Sequence, residues 1–313
     1  MRMRLGRPDL SRYHQIFEMY QAGEDAALGV TFLGVSTLLL DDGRSAILVD
    51  GFFSRPPMAR VALGRIAPDT ARIDACLDRL LAARELSVAA VLPVHSHYDH
   101  ALDSAYVAGR TGALLVGGES TANLGRGHEL SPERIVVVAS GEPLRLGAFT
   151  VSLLRSRHCP PDRYPGEITQ PVRPPARAGA YRCGEAWSIL VHHDSGRTAL
   201  VQGSAGYVEG ALVGQRADVA FLGVGQLGLQ PEEYLEAYWT ETVRAVGARC
   251  AVLTHWDDFF RPLPMAPGDP PLRALPYAGD DLDATLQVLS RLAEHDGVEL
   301  RLPTVWQRQD PWR

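Results

Sequence analysis

The sequence is poor in cysteine, and this scarcity excludes a fold built on crosslinks. Its four cysteines, Cys76, Cys159, Cys183 and Cys250, are widely spaced and include no C-x-x-C pair. Four scattered cysteines are too few for a disulfide framework. We therefore expect reduced thiols and a cytoplasmic protein.

Long apolar runs are also missing. The chain begins with Met1-Arg-Met-Arg, but the polar residues that follow never become the apolar core of a signal peptide. No stretch approaches the length of a membrane span. The sequence predicts no membrane span, and it predicts that residues 1–28 form a polar arm or a short helix.

An excess of positive charge is the third absence. The formal net charge is -6, whereas proteins that bind nucleic acid through its phosphates carry clustered Lys and Arg. This balance argues against nucleic acid as a partner and favours a small-molecule substrate. A local basic pocket for a small anion is compatible with it.

Strands and helices follow one another from Gly29 onward. Hydrophobic runs at 36–40 and 46–49 flank Asp41-Asp-Gly43 and predict a β-hairpin. Apolar residues at helical spacing predict an amphipathic helix over 70–83. A fully apolar strand is predicted at 88–92, and a histidine cluster begins just beyond its C-terminal end, where open α/β folds place their chemistry.

The same alternation continues to the end of the chain, with a predicted helix over 231–246 and a last one near 282–293. Strands with outer helices in each half predict two sheets between helices, within one domain over 29–313. Residues 159–184 contain six prolines and several arginines. We interpret this segment as a lid beside the site or, alternatively, as a passive surface loop.

The segment His95-Ser-His-Tyr-Asp-His100 carries the strongest chemical signal. If a helix begins near Asp99, His95 and His97 face one point in space, whereas Asp99 and His100 face another. Neutral imidazoles and carboxylates suit zinc, and also iron or manganese. Histidines cluster on surfaces by chance, but the preceding strand and later histidines at strand ends favour a metal site.

This segment resembles the H-x-H-x-D-H signature of the metallo-β-lactamase superfamily, and the resemblance extends from about Gly29 to Pro262. It implies an α/β fold, the four-layer αββα sandwich of that family. The spelling His-x-His-Tyr-Asp-His-x-Leu-Asp and the His255-Trp ending are similar to the branch with ascorbate-phosphate lactonases and N-acyl-phosphatidylethanolamine phospholipase D. That branch cleaves a lactone or a phosphodiester.

The resemblance also implies the ligands of two metal ions. One ion would be held by His95, His97 and His158, and the other by Asp99, His100 and His255. Behind these ligands, Asp50 would brace the loop and Asp257 would support His255.

Serine replaces an aspartate that bridges the two metals in this family. The chain reads Gln202-Gly-Ser204-Ala-Gly206 at that turn. A hydroxyl is neutral and binds metal weakly, so affinity for the second ion is expected to fall. We expect one or two Zn²⁺ ions, with Mn²⁺ or Fe²⁺ as alternatives.

These features favour a hydrolase that uses metal-bound hydroxide on an ester, lactone, amide or phosphodiester of a small molecule. Asp99 would orient the hydroxide or accept its proton, and Ser204 would hydrogen-bond the water. Two alternatives remain at this point. One is a metal-binding protein whose catalysis is impaired, and the other is a mononuclear iron redox enzyme.

Overall fold

Two sheets form the centre of the protein in the computed structural model, which describes residues 4–81 and 85–313. The strands, in chain order, are β1 (Gly29–Phe32), β2 (Leu38–Asp41), β3 (Ser45–Val49), β4 (Ser87–Leu92), β5 (Leu114–Gly117), β6 (Ile135–Val137), β7 (Pro143–Leu146), β8 (Phe149–Ser156), β9 (Ala186–His193), β10 (Thr198–Gln202), β11 (Val219–Gly223), β12 (Cys250–Thr254), β13 (Glu299–Arg301) and β14 (Arg308–Gln309).

The helices cover the outer faces of these sheets. They are α1 (Met58–Leu63), α2 (Thr70–Leu81), α3 (Tyr98–Ala101), α4 (Ser104–Thr111), α5 (Glu119–Gly127), α6 (Glu232–Trp239) and α7 (Leu282–Asp296). The helix predicted over 70–83 is observed as α2, and positions 82–83 lie outside the described residues. No helix in the described ranges is both long and apolar enough to cross a membrane.

Both sheets have the same plan. The first has the strand order β14-β1-β2-β3-β4-β5-β6 and the second β13-β12-β11-β10-β9-β8-β7. In each, antiparallel strands occupy one side and parallel strands the other. Helices join the parallel strands except β10 and β11, which are connected by a loop. Parallel pairs need a crossover that returns the chain to the same edge, so the C-terminal ends of these strands lie together.

Alternating side chains bind the layers to one another. In β2, Leu38 and Leu40 belong to the core between the two sheets, whereas Leu39 packs with Ile73 and Leu77 of α2. Successive residues of a strand point to opposite faces, which is why consecutive leucines enter different cores. Full burial of one such leucine contributes about 1.5–3 kcal/mol. With α6 and α7 packed outside the second sheet, the layers are those of the predicted αββα sandwich.

The helix predicted over 231–246 is interrupted. Helix α6 ends at Trp239 and a wider π-helical turn follows over Thr240–Arg244. The hydroxyl of Thr242 donates to the Tyr238 carbonyl at 2.5 Å. Trp239 and Arg244 both donate to Asp296 at the end of α7, at 2.8 and 2.6 Å. These side-chain contacts accompany the wider turn. The periodicity of the sequence predicts a regular helix and does not reveal them.

A buried arginine joins the N-terminal arm to the sheet edge. Arg308 of β14 donates from Nε to both oxygens of Asp41 at 3.0 Å, and from Nη1 to the Gly23 carbonyl at 2.9 Å. The backbone N–H of Ala22 donates to the Arg308 carbonyl at 3.0 Å. The two ends of the chain are therefore held on one edge by a single side chain.

We expect Arg308→Met to lower the free energy of unfolding by about 3–5 kcal/mol, because it leaves the buried Asp41 carboxylate without this cation. Urea denaturation followed by circular dichroism measures the change. The matched control is Arg249→Met, since Arg249 is exposed and its pair with Asp218 at 3.3 Å lies in solvent. The control should stay within about 0.5 kcal/mol of the wild type, and equal effects of the two variants would contradict the expectation.

Candidate metal centre

The end of β4 delivers the histidine motif to the edge of the first sheet. His97 is the N-cap residue of α3, with extended backbone angles of -61° and 154°. His95 and His97 therefore lie on the loop, whereas Asp99 and His100 lie in the first turn of the helix. The change from loop to helix splits the motif into two directions, as the sequence predicts.

The loop histidines and His158, which follows β8, form what we call the first ligand group. His95 Nε2 lies 3.1 Å from His97 Nδ1, and the ring centroids of His95 and His158 are 5.0 Å apart. One nitrogen of each residue lies within 4.8 Å of the others. Three imidazole nitrogens facing one point are a typical set for zinc.

The second ligand group consists of Asp99, His100 and His255, which follows β12. Asp99 Oδ2 lies 3.8 Å from His100 Nε2 and 3.5 Å from His255 Nε2. The Nε2 atom of His100 is buried and has no hydrogen-bond partner among the described residues. A buried nitrogen without a partner costs free energy, and a divalent cation among these three atoms would satisfy it. The residues thus fit a metal ion in each group.

Burial and mutual repulsion lower the pKa values of His95 and His158 in the first ligand group. Burial, together with the neighbouring imidazoles, holds the pKa of His95 well below its usual value. Burial and His97 lower the pKa of His158 to about 4. Because only a neutral imidazole can bind a metal, both rings are ready to do so at neutral pH.

The second ligand group has the opposite balance. Burial alone would raise the pKa of Asp99, but the imidazoles of His100 and His255 outweigh it and hold the pKa below its usual value. Burial alone would lower the pKa of His255, but the Asp99 carboxylate outweighs it and raises the pKa. Asp99 is therefore ionised at neutral pH and attracts positive charge.

Asp50 lies directly behind the His100 ring. Its Oδ2 accepts from His100 Nδ1 at 2.8 Å and its Oδ1 accepts from Val94 N at 2.9 Å. Its backbone is left-handed, with φ of +60°, a conformation that costs a residue other than glycine about 1–3 kcal/mol. The hydroxyl of Ser104 donates to its carbonyl at 2.6 Å, so contacts on three sides hold this conformation.

Asp257 acts on His255 indirectly. Its carboxylate accepts from Val35 N at 2.8 Å and forms a buried ion pair with Arg55. The backbone N–H of His255 donates to the Val35 carbonyl at 2.7 Å. No hydrogen bond joins Asp257 to the His255 ring among the described residues. Asp257 and His255 are therefore connected through the backbone of Val35.

The loop after β11 shapes the other side of His255. A Cβ atom at Gly225 would lie 2.7 Å from His255 Nδ1, a distance at which atoms overlap, so only glycine lets the loop approach the ring.

Ser204 lies at the end of β10, beside the first ligand group. It is 7% exposed, and its hydroxyl oxygen accepts from the backbone N–H of Cys159 at 3.0 Å. That N–H is adjacent to His158. The side chain thus reaches the ligand loops, although it carries no charge.

The proline-rich segment is built into the wall of the site. Ala176 pairs with Ile66, and Asn123 donates to the Ile168 carbonyl at 2.7 Å. Asp162 of this segment contacts His97 at 3.2 Å. Sequence reasoning missed Asp162 and also Arg55, because neither belongs to a motif or a periodic pattern.

We expect Asp50→Asn to weaken binding at the second ligand group by about 10–100-fold, since the amide presents an N–H where His100 needs an acceptor. Competition of the protein with a zinc-chelating dye measures the affinity. Asp78→Asn is the matched control, because Asp78 is exposed on α2. Unchanged affinity in Asp50→Asn would contradict the bracing role.

The family comparison matches residues 30–175 to the model of the metallo-beta-lactamase superfamily. This range contains the histidine motif and His158, and it ends before Ser204 and His255. No curated protein matches the chain.

Solved structures share the fold at low sequence identity. A possible metal-dependent hydrolase from Veillonella parvula has a TM-score of 0.52 at 14% identity, with 90% of this chain and 97% of that chain covered. Igni18, a metallo hydrolase from Ignicoccus hospitalis, has a TM-score of 0.50 at 15% identity, with coverages of 90% and 96%.

CmlA, a diiron β-hydroxylase from Streptomyces venezuelae, has a TM-score of 0.50 at 13% identity, with 88% of this chain and 53% of that chain covered. The same fold thus occurs in proteins described as hydrolases and in a hydroxylase. The chain has the metallo-beta-lactamase fold, and residues 30–175 match the family model of the metallo-beta-lactamase superfamily.

Proposed function

We propose that the protein is a metal-dependent hydrolase that cleaves an ester, lactone, amide or phosphodiester bond in a small molecule. The observation that carries this proposal is the convergence of two ligand groups, each with three donor atoms within 4.8 Å of one another. The rings of His95 and His100, one from each group, are 4.0 Å apart. Neighbouring sites of this kind suit two-metal hydrolysis.

Zinc is the ion that the donors favour, because five imidazoles and one carboxylate are nitrogen-rich. When bound, a divalent ion lowers the pKa of its water to about 7 and polarises the oxygen of the bond to be cleaved. The motif resembles that of a branch whose members cleave a lactone or a phosphodiester, so both bond types are included among the substrates to be tested.

Asp99 and Ser204 would act on the reacting water. Asp99 is ionised at neutral pH, so its carboxylate can orient a water molecule or accept its proton. The Ser204 hydroxyl already accepts from Cys159 N and keeps its own proton for donation. Both side chains lie beside the residues that would hold the metal. A group that positions the reacting water needs this location.

Aromatic rings beside the ligands would contact the substrate. Phe259 lies edge-on to His255 with ring centroids 5.5 Å apart, and Tyr164 lies edge-on to His97 at 6.1 Å. Both are only partly buried. Their exposed faces suit a small organic molecule. The four cysteines are buried and free, which supports the proposed cytoplasmic location.

Protein purified without chelators should contain about one or two equivalents of zinc or manganese. His97→Ala should lose metal and should lower hydrolysis of p-nitrophenyl esters, a lactone and bis(p-nitrophenyl) phosphate by at least about 100-fold. Elemental analysis and absorbance assays give the two readouts. His192→Ala is the matched control, because His192 is an exposed histidine on β9.

Two results would overturn the proposal. Full metal content without turnover of any bond class would indicate a binding protein, and iron with consumption of oxygen would indicate redox chemistry. Equal losses in His97→Ala and His192→Ala would also count against the assigned site.

Ser204→Asp should raise the affinity for the second ion, because it places a carboxylate beside the ligand groups and restores the negative charge that the bridging position lacks. The expected result is metal content close to two equivalents at a zinc concentration where the wild type holds about one. Ser204→Ala is the control and should not gain metal. Identical stoichiometry in all three proteins would show that Ser204 does not face the metals.

A further inference from the structure

Three candidate ligands have an acceptor behind the ring. His100 donates from Nδ1 to Asp50 at 2.8 Å, and Nδ1 of His158 lies 2.6 Å from the Cys159 carbonyl. The outer nitrogen of His97 instead faces the proline-rich segment.

Two oxygens of that segment meet His97 Nε2. Asp162 Oδ1 lies at 3.2 Å and the Tyr164 carbonyl at 3.3 Å. A neutral imidazole carries one proton, and both oxygens are acceptors. They therefore favour the tautomer in which this proton is on Nε2. His97 Nδ1, 3.1 Å from His95 Nε2, is then left with a bare lone pair inside the first ligand group.

The acceptors themselves are held in place. Tyr164 N donates to Asp162 Oδ1 at 2.9 Å, and Cys183 N donates to the Tyr164 carbonyl at 2.9 Å. The Cys183 carbonyl in turn accepts from Ser96 N at 2.8 Å. Ser96 lies between the two loop histidines, so the segment contacts the ligand loop through both its backbone and the His97 ring.

We propose that Asp162 is a positioning residue for His97, and that through it the proline-rich segment sets the metal affinity of the first ligand group. The carboxylate fixes the ring orientation and the tautomer in which Nδ1 is free. Its negative charge also makes the ring a better donor. This inference rests on the proposed metal site but not on the bond that is cleaved.

Asp162→Ala should weaken zinc binding at the first ligand group by about 10–100-fold, as loss of an outer acceptor does in other metal sites. Asp162→Asn should lose less, because its amide oxygen can still accept from His97. Titrations in an Asp99→Ala background report on the first group alone. Glu167→Ala is the matched control, since Glu167 is an exposed carboxylate of the same segment.

A double-mutant cycle separates positioning from a general structural effect. His97→Ala weakens zinc binding, and its residual affinity is measured by titration at high zinc concentration. In this background, Asp162→Ala should change the residual affinity by less than about twofold, because the ring on which it acts is gone. Equal effects of Asp162→Ala with and without His97 would overturn the proposal. Cobalt titrations followed by absorption provide a second readout. If Asp162→Ala had the same cobalt spectrum and the same titration midpoint as the wild type, the proposal would also be overturned.

Cys183 supplies a further test, because His97, Asp162 and Cys183 could themselves hold an ion. If the positioning role is correct, Cys183→Ser keeps the wild-type zinc stoichiometry. Loss of one equivalent in this variant would make the cluster a metal site and overturn the role. A wild type that binds zinc without turnover leaves these titrations intact, so failure of the proposed hydrolysis is distinguishable from failure of this inference.

Discussion

Five imidazole rings share one small space, and each must present a bare nitrogen to it. Neighbouring centroids in this cluster are 4.0 to 5.1 Å apart. At such distances protonated rings repel one another, and burial adds to the cost of charge. The arrangement is favourable only if the rings stay neutral and a cation takes the place of the protons. Behind three of the rings, those of His97, His100 and His158, an acceptor favours this state because it holds a proton on the outer nitrogen.

The sandwich supplies these groups from the ends of its strands. His95 follows β4, His158 follows β8, Ser204 follows β10 and His255 follows β12. Strand ends of both sheets meet at one edge, so loops that are distant in sequence become neighbours. Tight backbone geometry accompanies this convergence: Val35, Asp50 and His255 all have positive φ, between +50° and +60°. Strain of this kind persists only where surrounding contacts over-determine the conformation, and the bond from His255 N to the Val35 carbonyl joins two of the three.

Features that depend on a local, periodic pattern can be predicted from the sequence. Apolar strands such as β4, and the split of the histidine motif at the start of α3, follow from burial and helix geometry alone. The pairing of Asp257 with Arg55 could not be predicted from the sequence, because it joins two loops about two hundred residues apart. Asp162 was missed for the same reason, since its contact with His97 depends on the path of a segment without regular structure. Strands β13 and β14 are too short to show any period.

Carboxylates around the two ligand groups bear on the proposed metal binding. Within the two ligand groups Asp99 is the only carboxylate, and the other five residues are histidines. A carboxylate behind each group adds negative charge: Asp162 behind His97 and Asp50 behind His100. Such outer charges act across the ring and are weaker than a direct ligand, but the low dielectric of a buried site strengthens them. A bridging aspartate would place its negative charge between the two groups, whereas the two outer aspartates place one charge behind each group. Because Asp99 belongs to the second group only, the two groups differ in charge, and we expect them to differ in metal affinity.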